Sequence, residues 1–182
     1  MTKIFCLGDS LTAGYGVAEE FNYPTRLQRI YDQERPGQIK VINAGVSGST
    51  TTGAYDRLKF ALRAKPDIVV LALGANDGLR GKDLPQVKKN LIKTIELAQE
   101  NKIQVLLVGM KIPPNYGKAY SEAFEAIYPE LARRYKLALV PFMLEGVAGR
   151  PELNQPDGIH PLAEGYQPVT QLIHRALAPL LP

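Results

Sequence analysis

Five short runs rich in Val, Ile and Leu alternate with longer amphipathic stretches, and this alternation limits the fold more than any single motif does. The runs are Lys3–Leu7, Lys40–Asn43, Asp67–Leu73, Ile103–Val108 and Leu137–Pro141. Each is nearly continuous in apolar character, as parallel strands covered on both faces require. Between them, Tyr23–Gln33 places Leu27, Ile30 and Tyr31 on one side. Ala54–Ala64 gathers Leu58, Ala61 and Leu62 before a Lys65-Pro66 stop, and Leu84–Asn101 repeats Val87, Leu91, Ile95 and Ala98 at helical spacing. Tyr120–Tyr135 and Leu162–Leu177 complete the helical set. The pattern predicts a layered α/β fold with a five-stranded parallel sheet and right-handed crossovers. Strand order is not encoded in it.

No repeat, low-complexity tract or Pro/Gly/Ser-rich linker divides the 182 residues, so one domain over residues 1–182 is expected. Twenty-two Lys and Arg against 18 Asp and Glu leave a net charge of +4. The basic residues do not form a nucleic-acid footprint. Lys88, Lys89 and Lys93 lie in one helical stretch and Arg133, Arg134 and Lys136 in another, without interleaved aromatics, and read as solvated faces. No apolar run approaches the roughly 18 residues of a membrane helix. The lone Cys6 lies inside a strand-like run and is expected to be a buried structural thiol. Strand-like sequence starts almost at Met1 with no leader before it, which predicts a cytoplasmic protein as the sequence stands. A periplasmic or secreted chain given a start Met would read the same. A monomer acting on a small molecule is expected.

Sheets of this kind bind ligands beyond the carboxyl ends of their strands, so chemistry belongs in the turns that follow. Those turns read Gly8-Asp9-Ser10-Leu11-Thr12-Ala13-Gly14, Asn43-Ala44-Gly45-Val46-Ser47-Gly48 and Gly74-Ala75-Asn76-Asp77-Gly78, with Asp157-Gly158-Ile159-His160-Pro161 beyond the fifth strand. Acyl transfer needs these parts: a serine with a base in reach, a carboxylate fixing the base's tautomer, and donors for an oxyanion. Ser10, His160, Asp157, Asn76 and the Gly48 backbone are available for those roles in turn. Three-residue spacing puts Asp157 and His160 on one face of a helical turn, and Pro161 suits the first turn of the last helix.

Plainer readings stand beside these. Ser10 is also a favoured helix N-cap, Asp9 suits a cap, Asn76 suits a turn, and Asp77 reads as structural. His174, more than three turns down the last helix, reads as a surface or satisfied histidine. Ile112, Pro113, Pro114, Tyr116 and Tyr120 form either a rigid surface loop or one wall of an apolar acyl groove.

With these residues in place, the chain resembles the GDSL, or SGNH, hydrolase superfamily. Gly8-Asp9-Ser10-Leu11, Gly48, Asn76 and Asp157-Gly158-Ile159-His160-Pro161 match its four blocks in order across nearly the whole chain. Asn76-Asp77-Gly78-Leu79-Arg80-Gly81, Pro113-Pro114-Asn115-Tyr116-Gly117 and Glu122-Ala123-Phe124 look like the bacterial thioesterase I/lysophospholipase/arylesterase branch. The resemblance implies a three-layer, flavodoxin-like α/β/α sandwich and hydrolysis of esters and acyl thioesters without metal or cofactor. It also implies Ser10 as nucleophile, His160 as base, Asp157 as its partner, and Ser10, Gly48 and Asn76 as oxyanion donors. Leu79 and Arg80 would line the second wall of the substrate groove, opposite Ile112, Pro114 and Tyr116. Gly45 departs from the branch, which carries serine there.

Two rivals remain at this level. Related folds deacetylate carbohydrates, and a non-catalytic receiver-type signalling domain shares the sheet plan and places acidic residues such as Asp9 and Asp77 at strand ends. The receiver reading leaves Asp157 and His160 without a purpose. Neither G-x-G-x-x-G nor a Walker A sequence occurs, and two histidines fourteen residues apart with one cysteine indicate no metal.

Overall fold

The computed structural model describes residues 1–182. Five parallel strands form one sheet: β1 Thr2–Gly8, β2 Ile39–Gly45, β3 Ile68–Ala72, β4 Gln104–Val108 and β5 Ala138–Val140. Their order is β2-β1-β3-β4-β5, the doubly wound arrangement of flavodoxin-like sandwiches. Five long helices are α2 Tyr23–Glu34, α3 Ala54–Ala61, α5 Leu84–Glu100, α6 Lys118–Tyr135 and α7 Ala163–Leu177. Two short ones, α1 Ser10–Ala13 and α4 Ala75–Leu79, were not expected as separate elements. At four and five residues they carry no readable periodicity. No helix is long and apolar enough to cross a membrane.

Side chains of one strand alternate between faces, so each strand feeds two cores. Ile4, Cys6, Val70 and Leu106 pack with Leu27 of α2 and Tyr166 and Ile173 of α7. Leu7, Val69, Leu71 and Leu107 pack with Leu58 of α3, Leu91 of α5 and Phe124 of α6. Burying one such Leu, Ile or Val side chain stabilises by about 1.5–3 kcal/mol. Cys6 is fully buried, and burial pushes its thiol up to about 12. It is therefore a core side chain in the thiol form at neutral pH.

The register decides where chemistry sits. Gly8 of β1 pairs with Gly45 of β2 and with Ala72 of β3. Three strands thus end level, and the turns after them form one rim. The basic clusters lie away from it on helices, where Lys88 of α5 pairs with Glu130 of α6.

Candidate active site

The chain turns sharply after β1. Asp9 caps α1, its carboxylate accepting from the Leu11 N–H at 3.0 Å, and Ser10 is the first helical residue rather than the cap. Burial drives the Asp9 carboxyl up to about 6, against the Leu11 hydrogen bond and the charges of His160 and Arg57. Asp9 is thus engaged as a cap.

His160 Nε2 lies 2.9 Å from Ser10 Oγ, joining residues 150 apart in sequence. Its Nδ1 lies 2.6 Å from Asp157 Oδ2. The other carboxylate oxygen accepts from the N–H groups of Ile159 at 3.0 Å and His160 at 3.1 Å. Asp157 and His160 therefore meet across a bend, not across a helical turn. Pro161 does not open α7 either; it forms an antiparallel bridge with Asn154, and the helix begins at Ala163. Partial burial works to raise the Asp157 pKa, but the hydrogen bonds from the His160 ring and the two N–H groups outweigh it and hold the carboxylate below its ordinary value.

The β2 turn approaches α1 so closely that a β-carbon on Gly45 would fall 2.2 Å from Ala13 N. A side chain at this position would collide with the α1 backbone, so glycine is the residue that fits. Gly48 has φ +79°, a conformation that favours glycine, and its N–H makes no hydrogen bond within the protein. Asn76 is the second residue of α4, which follows β3, and its Nδ2 donates to Ser49 O at 2.8 Å. One amide hydrogen thus fixes the Gly48–Ser49 turn and the second is left for a ligand. Asp77, 2% exposed, accepts from Thr51, as a structural role demands.

A cavity of about 90 Å³ adjoins the pair, lined by polar Ser10, Asn76 and His160 and by apolar Leu11, Leu79, Met110, Ile112, Pro113 and Ile159. Of the sequence-predicted walls, Leu79, Ile112 and Pro113 reach it. Arg80, Pro114, Tyr116 and Tyr120 do not. Arg80 Nη2 instead donates to Gly48 O at 3.3 Å. Tyr116 is 54% exposed, packs on Tyr120 and leaves no room for a β-carbon on Gly81. Gly48 is not among the residues that line the cavity. Met110 and Ile159 escaped the sequence reading, although each adjoins a recognised strand end or motif.

A further contact was also missed. Arg57 of α3 donates its Nη2 to Gly8 O at 2.9 Å and to Ala44 O, tying together the strand ends that carry Ser10 and the Gly48 turn. Nothing in the sequence marks it, because its partners are backbone carbonyls. His174 is satisfied by Glu34 at 3.0 Å and plays no part at the rim.

The model of the GDSL-like lipase/acylhydrolase family matches residues 6–167. The chain belongs to this family. An arylesterase of Vibrio mimicus is 39% identical over 96% of the chain and 88% of its own length. The esterase TesA of Pseudomonas aeruginosa is also 39% identical, over 98% of the chain and 89% of its own length. A crystal structure of TesA superposes with a TM-score of 0.94 at 38% identity, covering 99% of this chain and all of that one. The chain is accordingly a hydrolase of the GDSL esterase type. The receiver-type reading falls with this result, since Asp9 and Asp77 are both engaged within the fold.

Proposed function

We propose that this hydrolase cleaves carboxylic esters and acyl thioesters in two steps through an acyl-enzyme on Ser10, with residues 1–182 acting as one domain. The observation that carries the reading is the hydrogen-bonded series Ser10–His160–Asp157 beside an apolar cavity. With its Nδ1–H donated to Asp157, His160 presents the Nε2 lone pair to Ser10. Nε2 takes the hydroxyl proton as Oγ attacks the substrate carbonyl, and Asp157 stabilises the imidazolium. The oxyanion accepts from the N–H groups of Ser10 and Gly48 and from Asn76 Nδ2. Collapse expels the alcohol or thiol, which receives the proton from His160. Water then attacks the acyl-serine with His160 again as base, releasing the acid.

Leu79 and Ile112 contact the acyl chain in this reading, with Met110, Pro113 and Ile159 beside them. Arg80, Pro114 and Tyr116 touch only the outer parts of longer substrates. The names of the Vibrio and Pseudomonas relatives support ester cleavage, and a 35%-identical Escherichia coli protein described as thioesterase 1/protease 1/lysophospholipase L1 supports the thioester arm.

The test is hydrolysis of p-nitrophenyl esters from acetate to palmitate by wild type and Ser10→Ala. Activity is expected in the wild type and absent in the variant, with the chain-length profile sizing the acyl pocket. Activity kept by Ser10→Ala would remove Ser10 as nucleophile. Folded wild type inert on every ester but active on acetylated sugars would replace this reading by the carbohydrate deacetylase.

A further inference from the structure

His160 is carried by a loop with little core beneath it: Pro156 to Ile159 are all exposed. The loop's neck is the antiparallel bridge between Asn154 and Pro161. Gln155 stands at that neck. Its backbone N–H donates to His160 O at 2.8 Å and its carbonyl accepts from Gly158 N–H at 2.9 Å.

The Gln155 side chain does more than close the loop on itself. Nε2 donates to Pro161 O at 3.0 Å and to Tyr15 O at 2.7 Å, so both amide hydrogens are used. Tyr15 follows the nucleophile helix, and its own N–H donates to Ser10 O at 3.0 Å. Its ring lies against the His160 imidazole with centroids 4.7 Å apart. Apart from the Ser10–His160 contact itself, no other side chain of residues 154–161 hydrogen-bonds to residues 10–17. The neighbouring Gly16 leaves room for this arrangement: at φ +78°, a β-carbon there would fall 2.1 Å from Gln155 Oε1.

We propose that Gln155 is a positioning residue for the hydrolysis, a clasp that joins the loop carrying the base to the segment following the nucleophile. It contacts neither Ser10 Oγ nor the cavity. The inference rests on the catalytic roles given above to Ser10 and His160. A clasp of this kind acts on the alignment of the two side chains, and a misplacement near 1 Å costs on the order of 10²-fold in rate. Substrate binding is left to residues it does not touch.

The experiment compares kcat and KM for p-nitrophenyl acetate in wild type, Gln155→Ala, Gln155→Met, Gly16→Ala and Gly16→Ala/Gln155→Ala, with Ser10→Ala as control. Gln155→Met keeps the length and packing of the side chain while removing both donors, which guards against simple unfolding of the alanine variant. Both single Gln155 variants are expected to lower kcat by roughly 10- to 100-fold with KM within about twofold. In the Gly16→Ala background, where the clasp is already displaced, Gln155→Ala is expected to have little further effect. Unchanged kcat in Gln155→Met, a loss confined to KM, or full additivity of the two substitutions would each overturn the proposal. Activity surviving in Ser10→Ala would instead sink the catalytic reading beneath it, so the two failures are separable.

Discussion

Thr51 gives both of its donors to the buried carboxylate of Asp77: its N–H to Oδ2 at 2.9 Å and its hydroxyl to Oδ1 at 2.8 Å. Asn90 of α5 donates in turn to the Thr51 hydroxyl at 3.1 Å. The segment that follows Gly48 is thereby fastened to α4, one residue from Asn76.

Removing that acceptor strands two buried donors. Asp77→Ala is expected to lower stability by about 2–6 kcal/mol, since each unsatisfied buried group costs about 1–3 kcal/mol. It is also expected to reduce kcat, because the Gly48 turn loses its anchor. Urea unfolding together with ester hydrolysis checks both; unchanged unfolding would show that Thr51 finds other partners.

Asn76 makes a separable contribution. Asn76→Ala removes the proposed oxyanion donor and is expected to lower kcat by about 10²–10³-fold. Steady-state kinetics on p-nitrophenyl butyrate decide it, and a fall below tenfold would take Asn76 out of the oxyanion hole.

Asp9 sets a pH dependence of stability. Its carboxyl titrates near about 6 in the folded chain and near 3.8 in the unfolded one, so the native state binds the extra proton between those values. Stability contributed by this group is complete below about pH 4 and is lost as the pH rises through about 6, by about 3 kcal/mol in all. Asp9→Asn removes the titration, and the difference from wild type in urea midpoints at pH 4, 5, 6 and 7 should shift in that direction. A difference independent of pH contradicts it.

The core makes an independent prediction. Leu91 is fully buried between α5 and the sheet face carrying Leu7 and Leu71. Leu91→Ala should cost about 2–5 kcal/mol while leaving kcat near wild type well below the melting temperature. Thermal unfolding and a low-temperature assay measure the two together.

Much of this architecture is legible before any coordinates. Strands such as Ile68–Ala72 are buried on both faces and so appear as unbroken apolar runs, and each long helix was placed to within three residues at either end. Strand order was not readable, because it depends on which crossovers pack on which face. The Ser10, Gly48, Asn76, Asp157 and His160 motifs stand out because each follows an identifiable strand. The bend at Asp157 was mistaken for a helical turn because both arrangements bring residues three apart together. Arg57 and Gln155 stayed hidden for a different reason. Both act on backbone carbonyls, which every residue possesses and no sequence pattern distinguishes.

The pairing of Ser10 with His160 across 150 residues has a consequence for biosynthesis. At about 5–20 residues per second, a ribosome makes the serine roughly 8 to 30 s before it makes the imidazole proposed to activate it. Through that interval the nascent chain holds an inert hydroxyl and cannot attack acyl groups around it. In this reading activity requires synthesis to pass His160, and a product truncated before it is expected to be silent.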